Sequence, residues 1–263
     1  MKNNLFLITT KIDIIKNEQP IGTGTGFYFM FSTQKNEQIP VLVTNKHVSQ
    51  TGEELRFFFH TNKGILPIVV ESKQFINHYD ENIDLSILLI GTFMNKLNQQ
   101  NIKIKNVFLI EENILTDKKK LNTLEDVLMI GYPIGLIDEK NKLPLIRKGI
   151  TASNILKDWN GKSEFLIDLA CFPGSSGSPV LIFNEGIFSE GGNLTIGSNR
   201  IYLLGILYGG PQFKANGEIK IENVSLKPKA VIDIPMNLGV VIKAERLLDF
   251  KSSIIDIIER NNK

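Results

Sequence analysis

The chain has 263 residues, 42% of them hydrophobic and 22% charged, enough to bury one large core or two smaller ones. A net charge of +2 offers no basic footprint for nucleic acid, and a single cysteine, Cys171, excludes any internal disulfide. With one cysteine and three scattered histidines there is no metal-ligand spacing, so neither a metal nor a cofactor is expected.

Residues 5–15 show alternating apolar positions and predict a strand. The short apolar patch Leu5 to Ile8 is soon interrupted by Lys11 and Asp13, which reads as neither a signal peptide nor a membrane span. Residues 22–26, Gly-Thr-Gly-Thr-Gly, read as a loop. No Gly-Lys-Ser/Thr follows, and 27–31 is strand-like rather than helical, so a phosphate cradle is not expected there. A polar turn at 34–38 leads to a strand at 40–44. Further short β-rich runs lie at 55–60, 65–71 and 84–90. Strands at this spacing predict a barrel or sandwich rather than alternating β and α.

Residues 93–105 are polar and read as a linker. Strand character resumes at 107–111; Lys118, Lys119 and Lys120 read as a solvated loop. A second set of strands is expected at 127–132, 145–152, 164–171, 179–183, 201–208 and 238–243. Stretches 183–200 and 211–235 are loop-rich or hairpin material, with a small added strand at 220–224. At 244–261 the period changes: Leu247, Phe250, Ile254, Ile255 and Ile258 recur at helical spacing, predicting an amphipathic closing helix. Its mixed charges argue against a membrane-surface role.

The chemistry-bearing stretch is Phe172-Pro173-Gly174-Ser175-Ser176-Gly177-Ser178-Pro179, wedged between two apolar runs. Small residues there require a tight bend and a close approach. Ser176 at its tip, with the N–H groups of Gly174 and Ser176 beside it, has the parts of a nucleophile and an oxyanion hole; a plain Ser/Gly turn is the alternative. A hydroxyl needs a base and an orienting group. His47 ends an apolar strand, and Asp84 opens another, where a buried acid is costly without a partner. His47, Asp84 and Ser176 give one of the known chain orders of the Ser-His-Asp triad. His60 and His78 read as structural, Asp80 as a rival orienter in a polar loop, and Cys171 as a small buried residue.

Thr44-Asn45-Lys46-His47-Val48, Asp84-Leu85-Ser86-Ile87-Leu88 and Gly174-Ser175-Ser176-Gly177-Ser178-Pro179 together resemble the three signatures of trypsin/chymotrypsin-fold serine peptidases. The likeness is closest to the bacterial high-temperature-requirement (Deg-type) branch. Residues 22–27, the run Glu125 to Leu136 with its Gly131-Tyr132-Pro133-Ile134-Gly135, and Asp168-Leu169-Ala170 extend it over roughly residues 20–250. The resemblance implies an all-β fold: two six-stranded antiparallel barrels of chymotrypsin-like type with a C-terminal helix. Residues 1–95 would carry His47 and Asp84, 96–106 would link, 107–243 would carry Ser176, and 244–263 would form the closing helix.

It further implies an endopeptidase in which Ser176 is nucleophile, His47 base then acid, Asp84 the orienting carboxylate, and Gly174 and Ser176 the oxyanion donors. Ala170, Phe172, Tyr208, Gly209 and Gly210 would bind substrate, with Tyr208 narrowing the primary pocket. Ala170 stands where trypsin carries the acid that selects Lys or Arg, so a small or medium apolar residue is expected before the cleaved bond. Ser175 stands where digestive relatives carry an activating Asp, so that switch is expected to be absent. Ser178 replaces a usual Gly. Secreted members commonly carry several disulfides, so a cytoplasmic location is expected, without membrane or accessory peptide-binding modules. A protein or peptide substrate, a dedicated partner protein included, is the expected ligand. A catalytically latent or inactive binding or scaffold module of the same fold and an esterase with the same triad are the alternatives.

Overall fold

In the computed structural model, residues 4–33, 37–218 and 229–261 are described. Eight strands build the first half: β1 (Thr9–Lys16), β2 (Gln19–Ser32), β3 (Gln38–Thr44), β4 (Glu54–Thr61), β5 (Gly64–Glu71), β6 (Ile76–Asn77), β7 (Ser86–Leu89) and β8 (Leu109–Ile110). They run β5-β4-β1-β2-β3-β7-β6, antiparallel throughout, and β8 joins β2 in parallel. The second half contains β9 (Asp126–Gly131), β10 (Leu145–Thr151), β11 (Glu164–Asp168), β12 (Pro179–Glu190), β13 (Asn193–Gly209), β14 (Gln212–Glu218), β15 (Lys229–Pro235) and β16 (Leu238–Lys243). Six of these close an antiparallel barrel in the order β10-β11-β16-β13-β12-β9, while β14 and β15 form a separate hairpin. With one C-terminal helix, α3 (Phe250–Asn261), this is the chymotrypsin-like double-barrel arrangement. The first sheet exceeds six strands because β6 and β8 are two residues each, too short to leave a period in the sequence.

Alternation drives the strands. In β4, Leu55, Phe57, Phe59 and Thr61 face inward while Arg56, Phe58 and His60 face outward. Ile12, Tyr28, Leu42, Leu55, Phe57 and Phe59 fill the first barrel; Val127, Met129, Phe165, Ile167, Val180 and Val241 fill the second. A third cluster joins the halves, with Phe27, Phe29, Val43 and Ile87 on one side and Ile130, Leu181, Ile206 and Ile242 on the other. The closing helix docks there through Leu247, Phe250 and Ile254, whereas Ile255 is exposed and outside the buried stripe. Leu247 belongs to a separate 3-10 turn, Ala244–Leu247, because the helix begins at Phe250 and not at the expected 244.

Several local expectations are corrected. The glycine-threonine stretch 22–26 is not a loop but the middle of β2, which bonds to β1 on one side. Gly24 is needed there because a Cβ would lie 2.5 Å from Val48 Cγ1. The polar connection at 93–105 contains α2 (Gly91–Gln99), whose Phe93, Met94 and Leu97 pack on the first core. β12 and β13 continue well past the expected 183 and 201 to a turn at Gly191 and Gly192. The added strand expected at 220–224 lies outside the described residues.

Candidate active site

β3 ends at Thr44, and after Asn45 the chain enters the five-residue helix α1 (Lys46–Gln50), so His47 is the second residue of a helix rather than the end of a strand. Asp84 lies two residues before β7, in a loop held by Asn45 Nδ2 on the Asp84 carbonyl at 2.7 Å and by Lys46 Nζ on the Asp80 carbonyl at 2.8 Å. Both carboxylate oxygens of Asp84 serve His47: the His47 main-chain N–H donates to Oδ1 at 3.0 Å, and Nδ1 lies 2.5 Å from Oδ2. A carboxylate at Nδ1 fixes the tautomer that carries its proton there and leaves Nε2 with a free lone pair. Among the described residues Nε2 has no partner, and the imidazole is 49% exposed. Asp80, the rival orienter, instead gives its main-chain N–H to His78 Nδ1 and accepts from Asn82. His78 Nε2 pairs with Asp249, and His60 Nε2 meets the Asn141 carbonyl. Both therefore have structural partners.

The nucleophile loop is a double turn: Ser175 N–H donates to the Phe172 carbonyl and Ser178 N–H to the Ser175 carbonyl, each at 3.0 Å. Gly174 (φ 87°) and Gly177 (φ 88°) adopt the left-handed backbone this requires. The loop is tied to both halves. Thr25 of β2 donates its N–H to the Ser176 carbonyl at 2.8 Å and its hydroxyl to the Gly174 carbonyl at 2.9 Å. Thr44, three residues before His47, donates to the Thr25 carbonyl at 2.8 Å, so base and nucleophile are joined through one strand. Gly177 N–H donates to Leu207 at 2.8 Å, and Ile134 N–H to Pro173 at 2.6 Å. These bonds engage the carbonyls of Pro173, Gly174 and Ser176. Among the described residues the N–H groups of Gly174 and Ser176 donate to no protein acceptor. Two free, fixed donors beside a hydroxyl can receive a developing oxyanion. Ser176 Oγ itself rests 3.4 Å from the Tyr208 carbonyl.

Beside Ser176 opens a cavity of about 230 Å³ lined by Cys171, Phe172, Pro173, Leu207, Gly209, Gly210 and Pro211. None of these carries a charge. Of the expected substrate-binding residues, Phe172, Gly209 and Gly210 line it. Ala170 does not; its carbonyl accepts from Arg147 Nη1. Tyr208 contributes only its carbonyl beside Ser176: its hydroxyl donates to Glu164 Oε1 at 3.0 Å, away from the cavity, so its ring does not narrow the pocket. Burial and the Glu164 carboxylate push the Tyr208 hydroxyl well above the usual phenol range. Burial likewise pushes the Cys171 thiol up to about 11, which keeps it protonated and poorly nucleophilic. Sequence reasoning passed over Thr25 as part of a loop, and Arg147 because nothing in the sequence distinguishes it from the adjacent cation Lys148. Among the described residues, no cluster of His, Cys, Asp and Glu could hold a metal, and no helix is long and apolar enough to cross a membrane.

The model of the trypsin-like peptidase domain family matches residues 24–186, a span that contains His47, Asp84 and Ser176. No curated protein matches. Among solved structures, this chain is similar to a serine endoprotease from Yersinia pestis at 15% identity and a TM-score of 0.49, over 95% of this chain and 64% of that one, less than two thirds of its length. It is also similar to the MamO protease domain from Magnetospirillum magneticum in its apo form at 11% identity and a TM-score of 0.44, over 94% of this chain and 97% of that one.

Proposed function

Because the chain belongs to the trypsin-like peptidase domain family, we propose that it is a serine endopeptidase working through His47, Asp84 and Ser176. The observation that carries this reading is the double engagement of Asp84 by His47, with Nε2 left open, on a half of the molecule whose Thr25 and Thr44 tie it to the loop in which the N–H groups of Gly174 and Ser176 are free among the described residues. A rotation about the Ser176 side chain takes Oγ from the Tyr208 carbonyl, a long contact at 3.4 Å, toward His47. Nε2 then removes the hydroxyl proton as Oγ attacks the peptide carbonyl. The negative charge formed on the carbonyl oxygen is met by the N–H groups of Gly174 and Ser176, and Asp84 steadies the imidazolium. His47 returns the proton to the leaving amine, giving an acyl-enzyme; water, activated by the same imidazole, releases the acid and restores Ser176.

Among the described residues, no strand is paired on the edge of β13 at Tyr208–Gly209 opposite β16, which with Gly210 supports binding of an extended substrate by β-addition. The uncharged cavity supports a small or medium apolar residue before the cleaved bond, with a protein or peptide as substrate. The Deg-type motifs support that branch as the finer assignment. A cleavage profile over a peptide library is expected to be dominated by such apolar residues; a profile dominated by Lys or Arg contradicts it.

The direct test is covalent. A fluorophosphonate probe is expected to label the protein, and Ser176→Ala to remove the label. Failure of the wild type to label, or equal labelling of the variant, rejects the peptidase and favours a binding module of the same fold.

A further inference from the structure

Arg147 sits in β10 opposite Met129 of β9, but its side chain turns beneath the nucleophile loop instead of into solvent. Nη1 donates to the Ala170 carbonyl, Nη2 donates to Ser175 Oγ at 2.9 Å, and the guanidinium lies 5.8 Å from the centre of the Phe172 ring. Among the described residues it forms no ion pair with a carboxylate. A partly buried cation with only neutral partners is an expensive way to pack a strand, and burial lowers its pKa accordingly. All three partners lie in one short loop, on both sides of its bend. The hydroxyl of Ser175, a residue 0% exposed, has Arg147 as its partner and would be left unsatisfied without it.

Ser175 is also the pivot of the loop's two turns, since its N–H closes the first and its carbonyl closes the second. The peptide on its C-terminal side supplies the N–H of Ser176. The peptide two bonds earlier supplies the N–H of Gly174, and that one is held from the opposite side by Ile134 through Pro173. Ile134 is a β-branched residue in left-handed backbone (φ 49°, ψ 29°), a conformation retained against its preference. The oxyanion donors are thus gripped between a strained turn and a partly buried guanidinium. We infer that Arg147 is a positioning residue for the reaction, holding Ser175 so that the N–H groups of Gly174 and Ser176 stay aligned with the developing oxyanion. The inference rests on the serine-peptidase reading and adds a residue to it.

The test is the rate of fluorophosphonate labelling as a function of probe concentration, which separates the limiting rate from the apparent affinity, on the full chain. Arg147→Ala is expected to slow the limiting rate about 100-fold, the scale of a misplaced catalytic geometry, with the apparent affinity nearly unchanged. Arg147→Lys should recover part of the loss, because an ammonium can reach one acceptor but cannot span two. Added free guanidinium should restore labelling to Arg147→Ala and leave the wild type unaffected. Ser175→Ala should slow labelling too, and the double variant should be no slower than the slower single. Wild-type labelling rates in Arg147→Ala, or single effects that multiply in the double variant, overturn the inference while leaving the peptidase intact. If circular dichroism shows Arg147→Ala unfolded, Ser175→Ala decides: a wild-type rate there overturns the inference. A wild type that does not label at all overturns the peptidase reading, and the role of Arg147 with it.

Discussion

Alanine at Ser176 is expected to lower kcat on the order of 10⁶-fold, alanine at His47 to lower it as much, and the double variant to be no slower than either. The reason is mechanical. Without the imidazole, the Ser176 hydroxyl keeps its proton and its weak contact with the Tyr208 carbonyl. Without the hydroxyl, the imidazole has no proton to take. Each loss removes the same step, so the second removes nothing further. Asp84→Asn should cost less, about 10⁴-fold. Asp84 accepts two hydrogens from His47, the main-chain N–H at 3.0 Å and the Nδ1 hydrogen at 2.5 Å, and an amide can accept only at its oxygen. With the amide nitrogen toward Nδ1, the ring must carry its proton on Nε2, where it cannot act as base. The measurement is kcat on a peptide selected from the library, corrected by active-site titration. A double variant that falls to the product of the two singles means the side chains act independently, and the triad assignment is then wrong.

The three residues of the proposed triad stand out in the sequence because each interrupts a pattern. His47 and Asp84 are polar residues abutting apolar runs, and Ser176 lies in a cluster of small residues bounded by Pro173 and Pro179. The strands with one wet face were readable for a related reason: Leu55, Phe57 and Phe59 alternate with Arg56, Phe58 and His60 at period two. What escaped depends on partners distant in sequence. Three glycines at 22–26 suggest a loop, yet the ladder to β1 and the close approach of Val48 make them strand. Tyr208 reads as a pocket residue until Glu164 is seen to take its hydroxyl, 44 positions away. Arg147 and Lys148 are adjacent cations in one strand, and only the folded chain reveals that Lys148 pairs outward with Asp126 while Arg147 turns inward to Ser175. The position of a side chain on one strand face or the other was legible; the identity of what waits there was not.

Gly174→Ala is expected to lower kcat by about 10²–10³-fold, the effect of losing one oxyanion donor, while leaving KM nearly unchanged. Gly174 has φ 87°, and a Cβ there would lie 2.6 Å from the Tyr132 carbonyl oxygen, 3.0 Å from Thr23 Oγ1 and 3.2 Å from the Gly135 nitrogen. The first and last are backbone atoms of a turn closed by a Gly135 N–H bond to Tyr132 at 3.0 Å, so they cannot simply step aside. The loop must move instead, and the peptide that moves is the one presenting the Gly174 N–H. Substrate binding along Gly209 and Gly210 is untouched by this shift, which is why the loss should fall on kcat. Conformational strain alone would also destabilise the fold, so a control is needed that has the strain without the clash. Gly192, at the far hairpin turn, has φ 82° and nothing within 4 Å of a Cβ. Gly192→Ala is expected to cost about 1 kcal/mol of stability in a denaturant titration, from its left-handed backbone, and to leave kcat at the wild-type value. Equal losses of kcat in the two variants would trace the effect to general destabilisation and remove Gly174 from the oxyanion hole.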